Sequence, residues 1–202
     1  DTITDISTIY SDKTGKIWAN SKGQIFSYNG NMWEEINEIP ELYKEIVSIT
    51  EDAKGNIWIA TEEQFGYLND KVWRNFSIEN ALIRDISADN NEHIWVATNK
   101  GLYCFGIDGN IVDIFETEKD GLLSNDVRSV VVDSSGHLWI GTSAGINIFD
   151  GRTQPSSINV ESQMGINAVK GWHSITGKNG LPYEDINIIA IGNQQILVGT
   201  KV

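Results

Sequence analysis

A short pattern built around tryptophan recurs four times along the chain and limits what the chain can fold into. Each copy has a polar turn, then an apolar run containing the tryptophan, and then a small residue, followed in most copies by threonine; the copies span 15–20, 55–61, 92–98 and 136–142. Trp18, Trp58, Trp95 and Trp139 recur at intervals of 40, 37 and 44 residues. A weaker copy without tryptophan covers 194–200. Intervals near 40 residues are typical of repeated units with four strands.

The residues around each tryptophan predict the strands of one unit. Two apolar residues three positions apart open each unit, as in Ile46 and Ile49, and predict a first, inner strand. An Asp-x-x-Gly turn follows at Asp52–Gly55 and again at Asp133–Gly136, a pattern that suits a type I turn. The tryptophan run is the second strand, and a glycine-led third strand and an aromatic outer strand complete the unit.

A single four-stranded antiparallel sheet cannot bury both of its faces, whereas stacking the next sheet against it can. The repeat therefore predicts an all-β fold, a β-propeller of four-stranded antiparallel blades, with about four and a half blades present and an incomplete ring. We predict one module over residues 1–202, with blades at 1–37, 38–77, 78–116 and 117–176 and a partial blade at 177–202. At most one short helical turn is expected, at Glu41–Glu45. The remaining blades of the same protein or a second copy of the chain are expected to complete the ring.

The most regular residues predict architecture rather than chemistry. Each tryptophan is expected to fill the space between neighbouring blades, and the Asp-x-x-Gly carboxylates are expected to serve their turns. His93 and His137 occupy one repeat position, which favours a structural role for both, whereas His173 in the outer strand is expected to face solvent. Cys104 lies in an apolar stretch and is expected to be a small buried side chain.

Composition excludes several partners. The formal net charge is −13, which argues against nucleic acid and against an anionic membrane surface, because both need clustered Lys and Arg. No stretch approaches the roughly 20 apolar residues that would cross a bilayer. One cysteine allows no internal disulfide.

The best repeat carries a resemblance to a known family. Residues 121–146, from Gly121-Leu122-Leu123 to Ala144-Gly145-Ile146, closely resemble the two-component regulator propeller repeat, and Gly180-Leu181-Pro182 echoes its first residues. The resemblance implies the periplasmic sensor region of a hybrid two-component histidine kinase, which recognises oligosaccharides and acts as a dimer. It also implies that any kinase activity lies in parts of the protein outside these residues.

We therefore expect an extracytoplasmic module that senses a ligand, with glycan fragments as its ligands. One alternative is a scaffold propeller for protein–protein interaction. Another, less favoured, is a propeller enzyme such as a streptogramin lyase or a quinoprotein. A lyase needs a histidine and acidic partners at a non-repeating position, and the sequence offers no convincing set, so no catalytic residue is predicted.

Loops on the face where each outer strand leads into the next inner strand are the expected ligand site, because loops on rigid scaffolds carry most binding residues. The loops span 37–44, 77–82, 117–126 and 176–185. Candidate ligand-binding residues in or beside these loops are Tyr43, Arg84, Asn125, Arg128 and Tyr183. A polar segment at 152–169 is interpreted as a tolerated surface loop, with a contact arm for a neighbouring domain or chain as the alternative.

No cofactor and no metal ion is predicted. No two histidines have metal-ligand spacing, and the nearest approach to a calcium loop, at Asp85, Asp89 and Asn90, has too few oxygen ligands.

Overall fold

A computed structural model describes residues 3–40, 45–69, 72–150, 171–192 and 195–201. Tyr43 and the segment 152–169 lie outside the described residues. The strands are β1 Ile6–Ser11, β2 Ile17–Ser21, β3 Gln24–Tyr28, β4 Trp33–Glu35, β5 Ile46–Glu51, β6 Ile57–Thr61, β7 Gln64–Asn69, β8 Val72–Ser77, β9 Ile83–Ala88, β10 His93–Thr98, β11 Gly101–Gly106, β12 Ile111–Phe115, β13 Val127–Val132, β14 Leu138–Thr142, β15 Gly145–Phe149, β16 Trp172–Ile175, β17 Ile186–Gly192 and β18 Gln195–Thr200.

These strands form antiparallel sheets of consecutive strands. Within the described ranges there are four four-stranded sheets, blades 1 to 4, in the orders β1-β2-β3-β4, β5-β6-β7-β8, β9-β10-β11-β12 and β13-β14-β15-β16. Strands β17 and β18 form a two-stranded sheet, the partial blade 5. The inner strands β1, β5, β9, β13 and β17 lie side by side in that order, as in a propeller. The predicted architecture of about four and a half blades with an open ring is confirmed, and the exact division of the loops between blades stays a prediction.

Helical structure in the described part of the chain is limited to single turns. Helix α1 spans Thr117–Asp120 and ends at Gly121, whose φ of 87° lies in the left-handed region that glycine adopts freely. A 3-10 turn follows at Gly177–Asn179. The helical turn predicted over Glu41–Glu45 falls almost wholly outside the described residues.

One hydrogen bond recurs in blades 1 to 4 and ties the Asp-x-x-Gly turn to the tryptophan. The indole Nε1 of the tryptophan donates to the carboxylate of the aspartate six residues earlier, over 2.9 Å to Asp12, 3.0 Å to Asp52, 3.1 Å to Asp89 and 3.1 Å to Asp133. The other carboxylate oxygen accepts backbone N–H groups of the turn, such as those of Lys54 and Asn56. The aspartate thus does more than shape a turn, because it also fixes the ring that fills the gap between blades.

Hydrogen bonding favours the ionised form of three of these turn carboxyls. Burial of Asp52 would raise its pKa, but the hydrogen bonds from Trp58, Asn56 and Lys54 favour the ionised form, and the net effect lowers the pKa below 3.8. The pKa values of Asp12 and Asp133 are lowered in the same way. The folded protein therefore stabilises the ionised form of these carboxyls.

The core consists of the interfaces between blades. Trp58 and Ala60 of blade 2 pack with Ile83 and Val96 of blade 3 in one buried cluster. A small residue after the tryptophan run allows close approach, since a Cβ on Gly141 would lie 2.7 Å from the side chain of Ile186 in blade 5. The predicted packing role of tryptophan holds in full for Trp58, which is completely buried.

The histidines follow the prediction at two positions and contradict it at the third. The Nδ1 atoms of His93 and His137 lie 3.0 Å and 2.9 Å from Asp89 and Asp133, so both side chains belong to the turn. The expectation that His173 faces solvent is wrong, because its relative exposure is 7%. Register explains the difference: His173 pairs with Ile148, which belongs to the cluster shared with blade 5.

We predict that Asp52→Ala destabilises the fold by about 2–3 kcal/mol, because it leaves the buried indole N–H of Trp58 and two turn N–H groups without an acceptor. Chemical denaturation monitored by tryptophan fluorescence measures the change. The control is Asp108→Ala, at an exposed turn without a tryptophan contact, which is expected to change stability little. Equal losses for the two variants would contradict the structural role of the Asp–Trp bond.

The lowered pKa of Asp52, Asp12 and Asp133 also predicts a pH dependence. A carboxyl whose folded pKa lies below its unfolded value of 3.8 stabilises the fold fully above that value and loses the contribution as pH falls through the folded pKa. Thermal stability of the wild type should therefore fall as pH is lowered below about 4, and the fall should be smaller in Asp52→Asn. An identical acid profile for both proteins would argue against the linkage.

Candidate functional site

Each inner strand of the described chain has a β-bulge at its second residue. In the register of the five inner hairpins, the pairing skips one residue between the first and third positions of the inner strand. The skipped residues, called here the bulge residues, are Ser7, Val47, Arg84, Arg128 and Asn187. Bulges bend a strand and re-aim a side chain, and they are common beside functional sites. The bulge residues therefore share one end of the propeller, at the loops that enter the inner strands.

Two of the predicted ligand-binding residues are bulge residues on neighbouring blades. Arg128 Nε donates to Asp126 Oδ2 over 3.0 Å, and a second guanidinium nitrogen lies 3.0 Å from the same oxygen. Arg128 also forms an ion pair with Asp185, at the entry to blade 5. Arg84 approaches the other oxygen of Asp126 at 3.8 Å. Arg128 is largely enclosed, with a side-chain exposure of 20%, whereas that of Arg84 is 39%.

The two arginines of this cluster differ in their ion pairs and in their exposure. Arg128 bridges the carboxylates at the entries to blades 4 and 5, so its donors serve the scaffold. Arg84 has one loose ion pair at 3.8 Å, beyond hydrogen-bond distance, and a more exposed guanidinium. Arg84 is therefore better placed to donate hydrogen bonds to a ligand.

A row of polar side chains lies directly behind the bulge residues and joins successive blades. Thr8 Oγ1 donates to the Ile46 carbonyl of the next blade over 3.0 Å, and Ser48 Oγ donates to Asp85 Oδ1 over 2.7 Å. Asp85 Oδ2 accepts from Ser129 Oγ over 3.0 Å and from the backbone N–H of Val130 over 3.0 Å. Each of these side chains follows a bulge residue in sequence. The row holds the strands that carry Arg84 and Arg128 at a set spacing.

Asp85 is the centre of this row. It links blades 2, 3 and 4, and its oxygens accept four hydrogen bonds, the fourth from its neighbour's N–H at Ile86. Burial raises the pKa of Asp85 even though these hydrogen bonds act in the opposite direction. Asp85 therefore acts as a hydrogen-bond acceptor, which differs from the calcium-ligand role considered for it in the sequence. The carboxylate of Asp89 has hydrogen-bond partners too, in Trp95 and His93. Among the described residues, no group of three or more His, Cys, Asp or Glu side chains is arranged to hold a metal ion.

A cavity of about 340 Å³ opens at the same end, between blades 1 and 2. The bulge residues Ser7 and Val47 line it, together with Asn20, Lys22, Glu45 and Glu62. Ser7 Oγ donates to Asn20 Oδ1 over 2.7 Å, and Lys22 forms an ion pair with Asp5 at 3.2 Å. Carboxylate, amide and hydroxyl groups converge here, and these groups suit a polar ligand with several hydroxyls.

The other predicted site residues have different positions. Asn125 is used by the scaffold, because its side-chain oxygen accepts from the N–H of Thr117 and its carbonyl accepts from the N–H of Gly101. Tyr183 lies in the loop that enters blade 5 and is 51% exposed, which leaves its ring open to a ligand. Tyr43 lies outside the described residues. The structure therefore brings Arg84 and Arg128 together, and binding by any of these residues stays a prediction.

Two segments of the chain match the model of a known family. Residues 41–63 and 121–144 match the model of the two component regulator propeller family. The first match includes the inner strand β5 with its bulge residue Val47, and the second includes β13 with Arg128. The resemblance drawn from the sequence is confirmed. No curated protein matches the chain.

Solved structures show the same fold. The extracellular domain of the putative hybrid two component system BT3049 from B. thetaiotaomicron is 22% identical, with a TM-score of 0.69 over 99% of this chain and 26% of that one. The corresponding domain of BT4673 from the same organism is 18% identical, with a TM-score of 0.66 over 98% of this chain and 26% of that one. The chain thus spans about a quarter of each of these domains. Virginiamycin B lyase from Staphylococcus aureus is 12% identical, with a TM-score of 0.63 over 96% of this chain and 77% of that one.

We predict that Asp85→Ala destabilises the fold by about 3 kcal/mol or more, because it removes the shared acceptor of Ser48, Ser129 and the Val130 N–H from a buried site. Asp85→Ser is expected to lose less, since serine occupies this repeat position in blades 2 and 4. Urea denaturation gives both values. Asp113→Ala, at an exposed carboxylate of the same blade, serves as control, and a loss no larger than that of the control would refute the role given to Asp85.

Proposed function

We propose that this chain, two segments of which match the two component regulator propeller model, is part of an extracytoplasmic ligand-sensing module of a two-component signalling receptor, and that its ligands are glycan fragments. In a bacterium with two membranes, the module would lie in the periplasm. The observation that carries the proposal is the end of the propeller at which the bulge residues of successive blades gather. The family description and the likeness to extracellular domains of hybrid two component systems support the signalling part.

The chemistry of this end supports a glycan as the ligand. Sugars present many hydroxyl groups around a ring with apolar faces, so a site for them needs planar polar groups and an exposed aromatic ring. Arg84 offers guanidinium donors, the cavity between blades 1 and 2 offers the amide of Asn20 and the carboxylates of Glu45 and Glu62, and Tyr183 offers its ring. A ligand that spans these groups would contact several blades at once, which suits an oligosaccharide better than a single sugar.

Binding is favoured over catalysis because the acidic and histidine side chains discussed above have partners in the scaffold. Asp126 and Asp185 at this end form ion pairs with Arg128 and so serve the scaffold. His93 and His137 are committed to Asp89 and Asp133 in the turns at the other end of the blades. The likeness to virginiamycin B lyase concerns the fold, at 12% identity. We therefore propose a module without catalytic activity of its own.

Further blades of the same protein are the partner that we propose for the open side of blade 5. Ile188 and Leu197 are about 60% exposed there, at 59% and 63%. At the position that matches Leu197, Trp58 and Trp95 are buried in the clusters that blades 2 and 3 each share with the next blade. Association with a second copy of the chain is the alternative partner. In the described residues no helix is long and apolar enough to cross a membrane.

Isothermal titration of the complete extracellular region against a panel of neutral and acidic oligosaccharides tests the proposal. We expect saturable binding of at least one member, and at least tenfold weaker binding by Arg84→Ala and by Tyr183→Ala. Lys54→Ala, in an Asp-x-x-Gly turn at the opposite end, is the control and should bind as the wild type does. Binding to none of the oligosaccharides, together with capture of a protein partner, would replace this proposal with the scaffold function. Turnover of a panel member would contradict the non-catalytic role.

A further inference from the structure

The described parts of the interfaces between blades 2 and 3 and between blades 3 and 4 differ at matching positions. In each blade the tryptophan heads a row of cross-strand neighbours on one face, which is Trp58, Tyr67 and Arg74 in blade 2 and Trp95, Cys104 and Asp113 in blade 3. Opposite residues of antiparallel strands lie on the same face of a sheet. Comparison of the two rows therefore shows what each interface contains beside its tryptophan.

Between blades 2 and 3, the space beside the tryptophan is filled and closed. The ring of Tyr67 lies against Trp58 with a centroid distance of 4.4 Å and an interplanar angle of 32°. At the end of the interface where the Asp-x-x-Gly turns lie, Lys54 of blade 2 forms a 2.9 Å ion pair with Glu92 of blade 3. The aromatic ring and the ion pair thus occupy the positions beside the tryptophan in this interface.

Between blades 3 and 4, the matching positions have smaller residues, and no two of them have opposite charges. Cys104 replaces the tyrosine, Asn91 replaces the lysine, and Gly136 replaces the glutamate. A Cβ placed on Gly136 would meet no atom within 4 Å. A cavity of about 240 Å³ occupies this space.

Aromatic side chains form part of the wall of this cavity. Its lining residues are Asp89, Asn91, His93, Trp95, Cys104, Val112, Asp113, Phe115, Gly136, Leu138 and Phe149. Trp95, Phe115 and Phe149 form a connected aromatic cluster, with centroid distances of 5.9 Å and 6.4 Å from Trp95 to the two phenylalanines. An apolar cavity of about 150 Å³ is enough for a benzene ring. The space between blades 3 and 4 therefore has room for one ring and a short substituent.

The polar groups of the cavity select the substituent. Asp89, Asp113, His93 and Asn91 line it, and its described lining residues include no lysine or arginine. Asp89 already accepts from Trp95 Nε1, whereas Asp113 lies exposed at the outer strand. Hydrogen-bond donors and positive charge are favoured beside such carboxylates, and an anionic group is disfavoured. The Cys104 thiol stays neutral, since burial, followed by the charges of Asp89 and Asp113, raises its pKa to about 12.

We propose that the cavity between blades 3 and 4 is a binding site for a small single-ring aromatic compound that bears a hydroxyl or ammonium group. The ring takes the place beside Trp95 that Tyr67 takes beside Trp58, and the substituent points to Asp113 and His93. This site lies near the turn end of the blades and is separate from the bulge residues, so it does not depend on the glycan proposal.

Titration with p-cresol, which is the side chain of tyrosine as a free molecule, and with tyramine tests the site. Ligand-observed NMR should show saturable binding of both compounds to the wild type, and each should raise the melting temperature. Benzoate has the same ring with an anionic substituent and should bind at least tenfold more weakly than tyramine. Absence of saturable binding by p-cresol and tyramine, or equal binding of benzoate and tyramine, would overturn the proposal.

Cys104→Tyr places at the matching position of blade 3 the tyrosine that blade 2 has, and its ring should fill the cavity. We expect this variant to melt at a higher temperature than the wild type and to bind p-cresol at least tenfold more weakly. The double variant Asn91→Lys with Gly136→Glu places the counterpart of the Lys54–Glu92 ion pair between blades 3 and 4. It provides an independent test if the tyrosine prevents folding. Glu92 itself has a φ of 64°, so blade 3 already holds a glutamate in the left-handed region where Gly136 has a φ of 85°. Unchanged p-cresol affinity in a folded variant of either kind would place the compound elsewhere and refute the site.

Discussion

The hydrogen bond from each tryptophan indole to an aspartate six residues earlier is the interaction on which the rest of the fold depends. A blade must bury both of its faces against its neighbours, and the indole is the largest group in that contact. The aspartate holds the ring in one orientation while its second oxygen shapes the turn between the first two strands. Turn, second strand and interface therefore form a single unit of structure. Because this unit is fixed near one end of the blades, the loops at the other end are free to differ.

Much of this fold could be predicted from the sequence, because the features that repeat are those that packing demands. The tryptophan interval gave the number of strands per blade, and the Asp-x-x-Gly turns gave their connections. The Asp–Trp bond was not predicted, because two roles for one carboxylate do not show in a pattern of residue types. His173 was placed wrongly for a related reason: outer strands are usually exposed, and the burial of this one depends on its register with Ile148.

The apolar spacing at the start of each unit already indicated the bulges. Side chains alternate along a regular strand, so two residues three apart lie on opposite faces. Ile83 and Ile86 are nevertheless both buried, as are Val127 and Val130, and a bulge between them reconciles the spacing with the burial. Apolar residues three apart at the start of every unit therefore indicated a bulge and singled out Arg84 and Arg128. Their contact with Asp126 and Asp185 depended on loop geometry, which the sequence does not reveal.

The polar row behind the bulge residues has a direction, and that direction makes the blades unequal members of the repeat. Asp85 has only acceptors, so it needs a donor on the blade before it and donors on the blade after it, which Ser48 and Ser129 supply. If the unit that carries Asp85 were duplicated in tandem, a second aspartate would take the place of Ser129, and two buried carboxylates would lie side by side without the hydroxyl donor that now joins them. The residues at this inner position therefore determine which blades can be neighbours. A gene that grows by copying one blade must change this inner residue before the new copy can pack beside its parent.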